Sequence, residues 1–514
     1  MKAVNLYILT REVDPDIQSE YEYALSCREE KIKLRKEEID LIRVIVNHFI
    51  IRKATPPIFD GWFYSFSIPQ IAKEFDLLRI EEDRTINIEL KNHYVDKDKI
   101  ERQLNQNRYY LRHLEKTIYS FTVMKDNNGT SVFKYDDGLI RSSFDEIFSC
   151  ISNERSFEEN DIEKLFDPSC FLVSPINNPE KFLKKDYFLN DQQREVKKAI
   201  LESQTGQVFG IKGSAGTGKT LLLYDIAFSF SKTRPTCIIH SGILSDGHKY
   251  LQIHNDAVTI YAAKDITGEE ITVVKGELTT AVKDEICKFD VICVDEAQRL
   301  YSDCMDIILK HAEQDNKTCV FSYDFSQSLS WSEIKRDNPK RLNELEGFQE
   351  YKLTGRIRTN KEIHSFVEAM MNLRANNKVQ CSYKNVDILY ANDINESDRI
   401  LRLYINRGYT FLTVTPSRYV SNMIDRYASV PNSHQVISQE FDSVIVIIDS
   451  NFRYDEDGKL DAKEHPNPDY LFTRLFYQIV TRARKKLCII VMGNHEVLTK
   501  LIRIKNYTLN CAGR

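Results

Sequence analysis

One octapeptide, GSAGTGKT, constrains the fold of this 514-residue chain more than any other feature. It fits the phosphate-loop pattern GxxxxGK[ST] at every position, with a strand-like run before it and a helix-like run after it. Gly213, Gly216 and Gly218 let the backbone curl so that successive N–H groups point at phosphate oxygens. Lys219 should neutralise the β- and γ-phosphates, and the Thr220 hydroxyl should bind Mg²⁺. The loop predicts an α/β lobe that binds a nucleoside triphosphate.

A second motif, DEAQ at residues 295–298, follows another apolar, strand-like run. Asp295 is expected beside Mg²⁺, usually through a water, because Mg²⁺ gives up its hydration shell reluctantly. Glu296 would then polarise the attacking water, which favours hydrolysis over phosphoryl transfer to a substrate. A DE pair after a strand is often only a helix N-terminal cap. Together with the phosphate loop, the catalytic interpretation is preferred.

Short β-branched runs alternate with helical stretches after residue 187, which predicts crossover units and parallel sheets. Two sets of strands indicate two α/β lobes. Prolines and polar residues mark a linker before them. We predict an N-terminal domain at residues 1–167, a linker at 168–186, a first lobe at 187–350 and a second lobe at 351–514. The strands are predicted at 208–211, 237–240, 291–294 and 318–322, then at 410–413, 443–448 and 487–492.

From residue 187 onward the motifs resemble, in order, those of helicase superfamily 1 of the UvrD/Rep kind, including the related ATPase module of Schlafen-type proteins. LNDQQ, residues 189–193, is similar to the adenine-reading LNxxQ motif. The resemblance implies that the nucleotide is ATP and that Gln193 contacts its base. YDFSQ, residues 323–327, looks like GDxxQ, which implies that Gln327 senses the γ-phosphate. The resemblance implies two RecA-like P-loop lobes.

Two arginines are assigned through the same resemblance. LTGRIRT, residues 353–359, resembles the motif whose arginine reaches the nucleotide, and that role is carried to Arg358. TRAR, residues 481–484, matches the motif that supplies a second arginine finger, here Arg482. An arginine brought in by a mobile lobe stabilises charge on the transferring phosphoryl group and raises the hydrolysis rate by a factor on the order of 10³–10⁵. In isolation either motif could be a solvated set of charges.

The chain departs from the family pattern at two positions. HQVISQEFD, residues 434–442, resembles the family motif HKxxGxEFDxV, but Ser438 replaces its glycine. Tyr323 likewise replaces the glycine of GDxxQ. The gaps after Ser241 and Asn360 are each only about fifty residues, where typical family members carry large insertions that help to separate strands. We therefore expect ATP-dependent translocation or remodelling rather than processive unwinding.

The N-terminal region carries a carboxylate pair. A hairpin turn between Glu82 and Asp83 pairs Arg79 with Ile86, Leu78 with Asn87, and Asp76 with Glu89. Opposed carboxylates repel unless a cation lies between them. Asp76, Glu89 and the Leu90 carbonyl therefore form a candidate Mg²⁺ or Mn²⁺ site, and Lys91 could orient water or stabilise phosphate charge.

This arrangement resembles the PD-(D/E)XK nuclease superfamily, especially its NERD and RecB-like branches, and implies a restriction-endonuclease-like domain. A predicted helix from residue 98 to 115 carries Gln103, Gln106 and Tyr110 and is similar to the Gln-bearing helix of those nucleases. Glu38 or Asp40, on a helix predicted at residues 28–50, could add a ligand. The usual Pro-Asp is absent, and a plain solvated hairpin is the alternative.

The resemblances imply a nuclease–motor fusion like the prokaryotic nuclease–helicase proteins of anti-phage defence or DNA repair. We expect translocation on DNA, single-stranded in the motor groove, and Mg²⁺-dependent endo- or exonuclease activity. One alternative is an ATP-gated nucleic-acid-binding switch with an inactive nuclease-like domain. Another is an RNA-directed nuclease–ATPase, which the Schlafen resemblance allows.

Composition restricts the partners and the location. The net charge of −5 gives no global basic signature, so nucleic acid must be held in a local groove. No apolar run reaches the roughly 18–20 residues of a membrane span, and no signal peptide is recognisable. The eleven cysteines form no CxxC pair. We expect a cytoplasmic protein without a membrane partner; a homo-oligomer or an operon-encoded protein partner is left open.

Overall fold

In the computed structural model of the protein, the chain folds as two units, an N-terminal unit, Met1–Leu172, and a C-terminal unit, Val173–Arg514. The structure describes residues 1–11, 15–28, 31–68, 71, 73–126, 129–151, 162–166, 171–264, 286, 288–354, 360–375, 383–416, 427, 430–463 and 470–511.

The N-terminal unit is built on a six-stranded sheet in which the strands follow chain order. Its strands are β1 Trp62–Ile68, β2 Lys73–Ile80, β3 Arg84–Lys91, β4 Thr117–Asp126, β5 Gly129–Tyr135 and β6 Leu139–Ser142. Its helices are α1 Leu6–Leu9, α2 Pro15–Ser26, α3 Lys36–Ile51, α4 Lys97–Leu111, α5 Phe144–Cys150 and α6 Ile162–Leu165. All neighbouring strands are antiparallel except β3 and β4, which are parallel and are connected through α4.

The two long helices cover opposite faces of this sheet. Ile42 and Val46 of α3 share a buried core with Ile86 and Ile88 of β3. Asn107 of α4 bonds instead to side chains on the other face of β3. The helix predicted at residues 28–50 begins later, at Lys36, so its predicted start is wrong. Layers on both faces explain why β2 and β3 are largely buried.

The hairpin register agrees with the pairing expected from the sequence. Arg79 pairs with Ile86 and Leu78 with Asn87, and Leu77 pairs with Ile88 one step further from the turn. Continuing this antiparallel ladder by one residue brings Asp76 toward Glu89. Successive residues alternate between the two faces, so Asn87, Glu89 and Lys91 all belong to the face covered by α4.

The C-terminal unit contains two parallel sheets. The first has the order β12-β7-β11-β10-β8-β9 and the second β13-β18-β15-β14, while β16 and β17 form a small antiparallel pair. Its first-sheet strands are β7 Val208–Gly213, β8 Thr236–His240, β9 Val258–Ala262, β10 Val291–Asp295, β11 Thr318–Tyr323 and β12 Gln349–Leu353. The others are β13 Val386–Ala391, β14 Thr410–Phe411, β15 Phe441–Ile448, β16 Phe452–Tyr454, β17 Leu460–Ala462 and β18 Ala483–Met492.

Helices connect these strands and cover the sheets. They are α7 Pro179–Leu183, α8 Asp191–Leu201, α9 Lys219–Phe230, α10 Asp246–His254, α11 Ser302–Gln314, α12 Trp331–Arg336, α13 Asn338–Asn343, α14 Lys361–Met371, α15 Ile394–Asn406, α16 Phe472–Val480 and α17 His495–Cys511. The predicted α/β fold class with parallel sheets is confirmed. We call the first sheet with its helices lobe 1 and the second lobe 2.

Two features bear on the proposed boundaries. Val173, Ile176 and Phe182, within the predicted linker, are buried in the core of lobe 1. β12 belongs to the first sheet, so that sheet continues past residue 350. Among the described residues, no helix has both the length and the apolar character needed to cross a membrane.

Candidate functional sites in the two units

The glycine loop joins β7 to α9, with Lys219 as the first residue of the helix. Gly216 and Gly218 have φ angles of +77° and +81°, which favour residues without a Cβ. The Lys219 side chain lies over the loop, and its Nζ donates to the carbonyl oxygens of Gly213 at 2.7 Å and Ser214 at 3.1 Å. The loop therefore holds a buried ammonium group at a helix N-terminus. Both the ammonium charge and the helix N-terminus favour a bound anion.

Asp295 ends β10 beside this loop. The Thr220 hydroxyl lies 3.3 Å from each Asp295 carboxylate oxygen, and the Ser322 hydroxyl donates to Oδ1 at 2.6 Å. The His240 ring, at the end of the neighbouring β8, places Nδ1 3.5 Å from Oδ2. The C-terminal parts of three parallel strands thus meet at Asp295. The Thr220 hydroxyl and the Asp295 carboxylate supply oxygen ligands of the kind that Mg²⁺ prefers.

Glu296 follows in a left-handed conformation, with φ of +59°. Its Oε2 accepts from Gln298 Nε2 at 2.6 Å and lies 3.6 Å from Arg299 Nε. Burial alone would raise the pKa of Glu296, but the charges of Arg299, Lys219 and Arg482 outweigh it and hold that pKa below its ordinary value. Glu296 is therefore held ionised, as a base must be.

Lobe 2 contributes a second set of contacts to this cleft. Arg482 is 5% exposed, and its Nη2 donates to Gln327 Oε1 of lobe 1 at 3.3 Å. In the opposite sense, Arg299 of lobe 1 donates to the Gln327 carbonyl at 3.0 Å and to Gln478 Oε1 of lobe 2 at 3.5 Å. Each lobe therefore sends one arginine across the boundary, Arg482 to Gln327 and Arg299 to Gln478. We call residues 213–220, Asp295, Glu296 and Arg482 the glycine-loop cleft.

The remaining motif residues of lobe 1 are held close by. Gln193 belongs to a capping box with Asn190 at the start of α8, and its Nε2 donates to the Thr217 carbonyl at 3.3 Å. Tyr323, which occupies a glycine position in the family motif, is buried, and its hydroxyl donates to Glu350 of β12, on the far side of β7 in the same sheet. Arg358 lies outside the described residues, so its predicted role stays a prediction.

Several residues of the cleft were missed by sequence reasoning. Gln298 and Arg299 lie inside or next to DEAQ, but the motif gives no information about which lobe they contact. His240 ends β8 and Ser322 is the penultimate residue of β11, and only the order of strands in the sheet brings them to Asp295. The available signal was their position at predicted strand ends, where parallel sheets gather their polar side chains.

The N-terminal unit contains a separate group of charges, Asp76, Glu89 and Lys91, which we call the acidic hairpin site. Lys91 Nζ lies 3.6 Å from Glu89 Oε2 and 3.9 Å from Asp76 Oδ2. The Leu90 backbone N–H donates to Asp76 Oδ2 at 2.7 Å. The three side chains predicted to cooperate therefore lie together on one edge of the hairpin.

Amide side chains fix Glu89. Asn107 Nδ2 donates to Glu89 Oε1 at 2.7 Å and to Asn87 Oδ1 at the same distance, while Gln103 donates to Oε2. Gln103 was expected from the resemblance, but Asn107 and Asn87 were not. Burial, and next the negative charge of Glu89, raise the pKa of Asp76 to about 8, although Lys91 opposes the shift.

Of the two further ligands considered on α3, Glu38 is the better placed. It accepts from the Tyr64 hydroxyl at 2.9 Å and from Arg35 at 2.9 Å, and its charge acts on Asp76. Asp40 pairs with Arg43. No group of three or more His, Cys, Asp or Glu residues suited to a metal ion occurs among the described residues. Mg²⁺ needs only one or two protein carboxylates, so Asp76 and Glu89 fit a hydrated ion.

Part of the chain matches a known family model. Residues 206–412, about two fifths of its length, match the family model described as Schlafen group 3, DNA/RNA helicase domain. No curated protein matches the chain.

Among solved structures, the chain is similar to Pif1 helicase from Candida albicans, at 11% identity over 63% of this chain and 99% of that one, with a TM-score of 0.37. It is also similar to Bacteroides sp Pif1 in complex with ADP-AlF4, at 12% identity over 63% of this chain and 98% of that one, with a TM-score of 0.32.

Proposed function

We propose that the C-terminal unit is an ATP-hydrolysing motor of the helicase class that acts on nucleic acid. The observation that carries the proposal is the meeting of charges at Glu296, where Lys219 comes from the glycine loop and Arg482 from the other lobe. Arginines supplied from a second element stabilise charge on the transferring phosphoryl group. The helicase-domain match over residues 206–412 supports the same class.

The side chains of the cleft divide the work of hydrolysis. Lys219 exchanges the carbonyls of Gly213 and Ser214 for phosphate oxygens, and Gln193 contacts the adenine. Mg²⁺, held by the Thr220 hydroxyl and by Asp295 through water, would supply further positive charge when bound. Glu296 takes the proton of the attacking water while Arg358 and Arg482 balance charge on the γ-phosphate.

Hydrolysis is converted to movement at the boundary between the lobes. Gln327 joins Arg482 to Arg299, so the state of the cleft is communicated to both lobes at one residue. Loss of the γ-phosphate removes the anion that attracts Arg482, and the lobes then separate. Repeated closing and opening drives translocation along a strand held in a local groove.

An ATPase assay tests the motor. Lys219→Ala should abolish hydrolysis and its stimulation by nucleic acid, whereas Lys212→Ala, an exposed lysine of β7 paired with Glu350, should not. Single-stranded DNA and RNA of equal length are compared as activators, and DNA is expected to be stronger. Activation should fall steeply with salt because phosphate contacts dominate. A Lys219→Ala protein that still hydrolyses ATP on addition of nucleic acid would refute the assignment.

We further propose that the N-terminal unit is a metal-dependent nuclease of the PD-(D/E)XK kind. Asp76 and Glu89 would bind Mg²⁺ or Mn²⁺, which supplies Lewis acidity at the scissile phosphate. Lys91 lies within 4 Å of both carboxylates and would orient water or balance phosphate charge. The raised pKa of Asp76 supports a site in which the charge of Lys91 does not balance both carboxylates. We also propose the domain organisation predicted from the sequence. It consists of an N-terminal domain at residues 1–167, a linker at 168–186, a first lobe at 187–350 and a second lobe at 351–514.

One observation favours the ATP-gated switch with an inactive nuclease-like domain. Both oxygens of Glu89 already accept hydrogen bonds from amides, which a bound metal must displace or share.

A cleavage assay separates these alternatives. The purified protein is incubated with plasmid, linear and single-stranded DNA and with RNA, with Mg²⁺ or Mn²⁺, with and without ATP. Cleavage that is lost in Asp76→Ala and Lys91→Ala, with ATPase retained, supports the nuclease. No cleavage under any condition supports the switch, and cleavage of RNA alone supports an RNA-directed enzyme.

The biological role proposed is action on DNA in anti-phage defence or DNA repair, in the cytoplasm and without a membrane partner. A homo-oligomer or an operon-encoded protein partner is part of the same proposal. It is supported by the resemblance to nuclease–helicase proteins. Protection of a host strain against phage, compared with the Lys219→Ala and Asp76→Ala variants, tests it.

A further inference from the structure

We propose that Ser438 is a positioning residue for ATP hydrolysis, in which a lobe 2 hydroxyl fixes the catalytic carboxylate of lobe 1. The inference rests on the proposed ATPase function and deepens it. Ser438 Oγ lies 3.2 Å from Glu296 Oε1 and 3.4 Å from Asp295 Oδ2. This hydroxyl therefore stands between the carboxylate that would act as the base and the one that would face Mg²⁺.

The contact completes the hydrogen bonding of Glu296. Its Oε2 is held within lobe 1 by Gln298 and Arg299, whereas its Oε1 accepts from Ser438 of lobe 2. A carboxylate oxygen has more than one lone pair, so Oε1 can accept from Ser438 and from a water together. Bonds to both oxygens define the plane of the carboxylate and hence the direction in which it receives a proton.

The backbone at this position shows what the serine adds. Ser438 has a φ of +61°, in the left-handed region that favours glycine. The family motif usually has glycine there, and glycine would adopt this conformation without strain. The serine keeps the same left-handed backbone and places a hydroxyl against two buried carboxylates. The left-handed backbone favours glycine, which has no side chain, yet this chain has a side-chain hydroxyl there that contacts two carboxylates.

The loop carrying Ser438 is attached to the second arginine finger. Arg482 Nη1 donates to the Gln439 carbonyl at 3.2 Å, and the Phe441 N–H donates to the Arg482 carbonyl at 2.9 Å. Ser438 and Arg482 are thus carried by one connected segment of lobe 2. An approach of lobe 2 that brings Arg482 to the cleft also brings the hydroxyl to Glu296.

The electrostatics explain why such a restraint matters. Arg299, Lys219 and Arg482 all attract the Glu296 carboxylate. A carboxylate drawn onto a guanidinium or ammonium group is turned away from the water it must activate. A directional hydrogen bond from Ser438 counteracts that tendency because it requires Oε1 to face the hydroxyl.

Two substitutions isolate the hydroxyl. Ser438→Ala keeps the Cβ at a left-handed backbone, whereas Ser438→Gly removes the Cβ and relieves the backbone strain. Both lower kcat for nucleic-acid-stimulated ATP hydrolysis about tenfold, as expected for loss of one hydrogen bond to a charged group. KM for ATP changes less than about twofold, since the loss affects a transition-state interaction. Gln435→Ala, an exposed position in the same loop, is the matched control and remains near wild type.

Thermal unfolding separates this effect from misfolding, because Ser438→Gly should unfold at or above the wild-type temperature. The proposal is overturned if Ser438→Gly is fully active while Ser438→Ala is impaired, since strain would then be responsible. It is also overturned if both variants match or exceed the wild-type kcat. Wild-type ATPase that does not depend on Lys219 would instead defeat the proposed motor, before any question about Ser438.

Discussion

The glycine-loop cleft and the acidic hairpin site each contain two carboxylates and one lysine, yet their charges are balanced differently. Glu296 is buried among Arg299, Lys219 and Arg482, and its pKa is lowered. Asp76 is also largely buried, but Lys91 opposes only part of the combined effect of burial and Glu89, and its pKa rises to about 8.

The difference indicates what each site needs from outside. In the cleft, the protein supplies enough positive charge to keep Glu296 ionised at neutral pH. In the hairpin, ionising both carboxylates leaves negative charge in a poorly solvated position, which a divalent cation would neutralise. We therefore expect the first site to accept an anion such as a phosphate and the second to accept a cation.

The largest effect on activity is expected when Arg482, the arginine that lobe 2 contributes to the cleft, is removed. Arg482→Ala should lower kcat for ATP hydrolysis on the order of 10³-fold, because charge on the transferring phosphoryl loses its partner. Steady-state kinetics measure it, with Arg484→Ala as the neighbouring control, since Arg484 pairs with Asp442 instead. A rate within twofold of wild type would show that Arg482 is structural and would remove the basis of the comparison.

The next largest effect concerns stability. Arg299→Ala leaves Glu296 with fewer compensating charges and should lower the free energy of unfolding of the C-terminal unit by about 3 kcal/mol. The chain has two tryptophans, Trp62 and Trp331, one in each unit, so Trp62→Phe restricts the fluorescence signal to this unit. Arg194→Ala, which breaks an exposed pair with Asp191, should cost less than about 0.5 kcal/mol. Equal losses in the two variants would contradict the prediction.

A smaller effect with a distinct pH dependence is expected at Asp76. Its folded pKa of about 8 exceeds the ordinary 3.8, so the folded state holds the proton more tightly than the unfolded state. The stability that this proton contributes is complete below about pH 3.8 and is lost as pH rises through about 8.

In EDTA, Asp76→Asn should therefore gain stability relative to wild type as pH increases, reaching at least about 1.4 kcal/mol at pH 8, the value of one pKa unit. Unfolding of the N-terminal unit is followed through Trp62 in a Trp331→Phe background. A constant difference between pH 5 and pH 9 would show that Asp76 is not desolvated in the folded protein.

The smallest effect is the response to metal. Mn²⁺ at a concentration equal to its Kd should stabilise the N-terminal unit by about 0.4 kcal/mol, the value of RT ln 2. That corresponds to a rise of about 1–2 °C in unfolding temperature. Asp76→Asn and Glu89→Gln should lose the response, while Asp40→Asn on α3 keeps it. An identical shift in all four proteins would mean that Mn²⁺ binds elsewhere.

Local patterns were sufficient for the fold class and for much of the hairpin register. Alternation and a turn between Glu82 and Asp83 predicted that Leu78 pairs with Asn87, because both signals act over a few residues. The start of α3 was not predictable in this way. Arg28, inside the predicted helix, instead forms an ion pair with Glu22 of α2 and donates to the Tyr64 carbonyl of β1, a contact with a distant segment.

The candidate sites show the same limit. Motifs predicted Lys219, Asp295 and Glu296 individually, since each lies at the end of a recognisable strand or loop. Ser438 contacts Glu296 only when the two lobes meet, and no local pattern encodes that approach. Asn107 was missed because a buried amide on a helix resembles an ordinary polar residue until the sheet beneath it is known.

Gln327 offers a way to separate two properties of the C-terminal unit genetically. Its carbonyl oxygen serves Arg299, and its side-chain oxygen serves Arg482. Gln327→Ala deletes the second bond and leaves the first intact, because every residue retains its backbone carbonyl. Such an allele would produce a protein that folds and binds nucleotide while its two halves no longer move in concert, a separation-of-function mutant for studying turnover without transport.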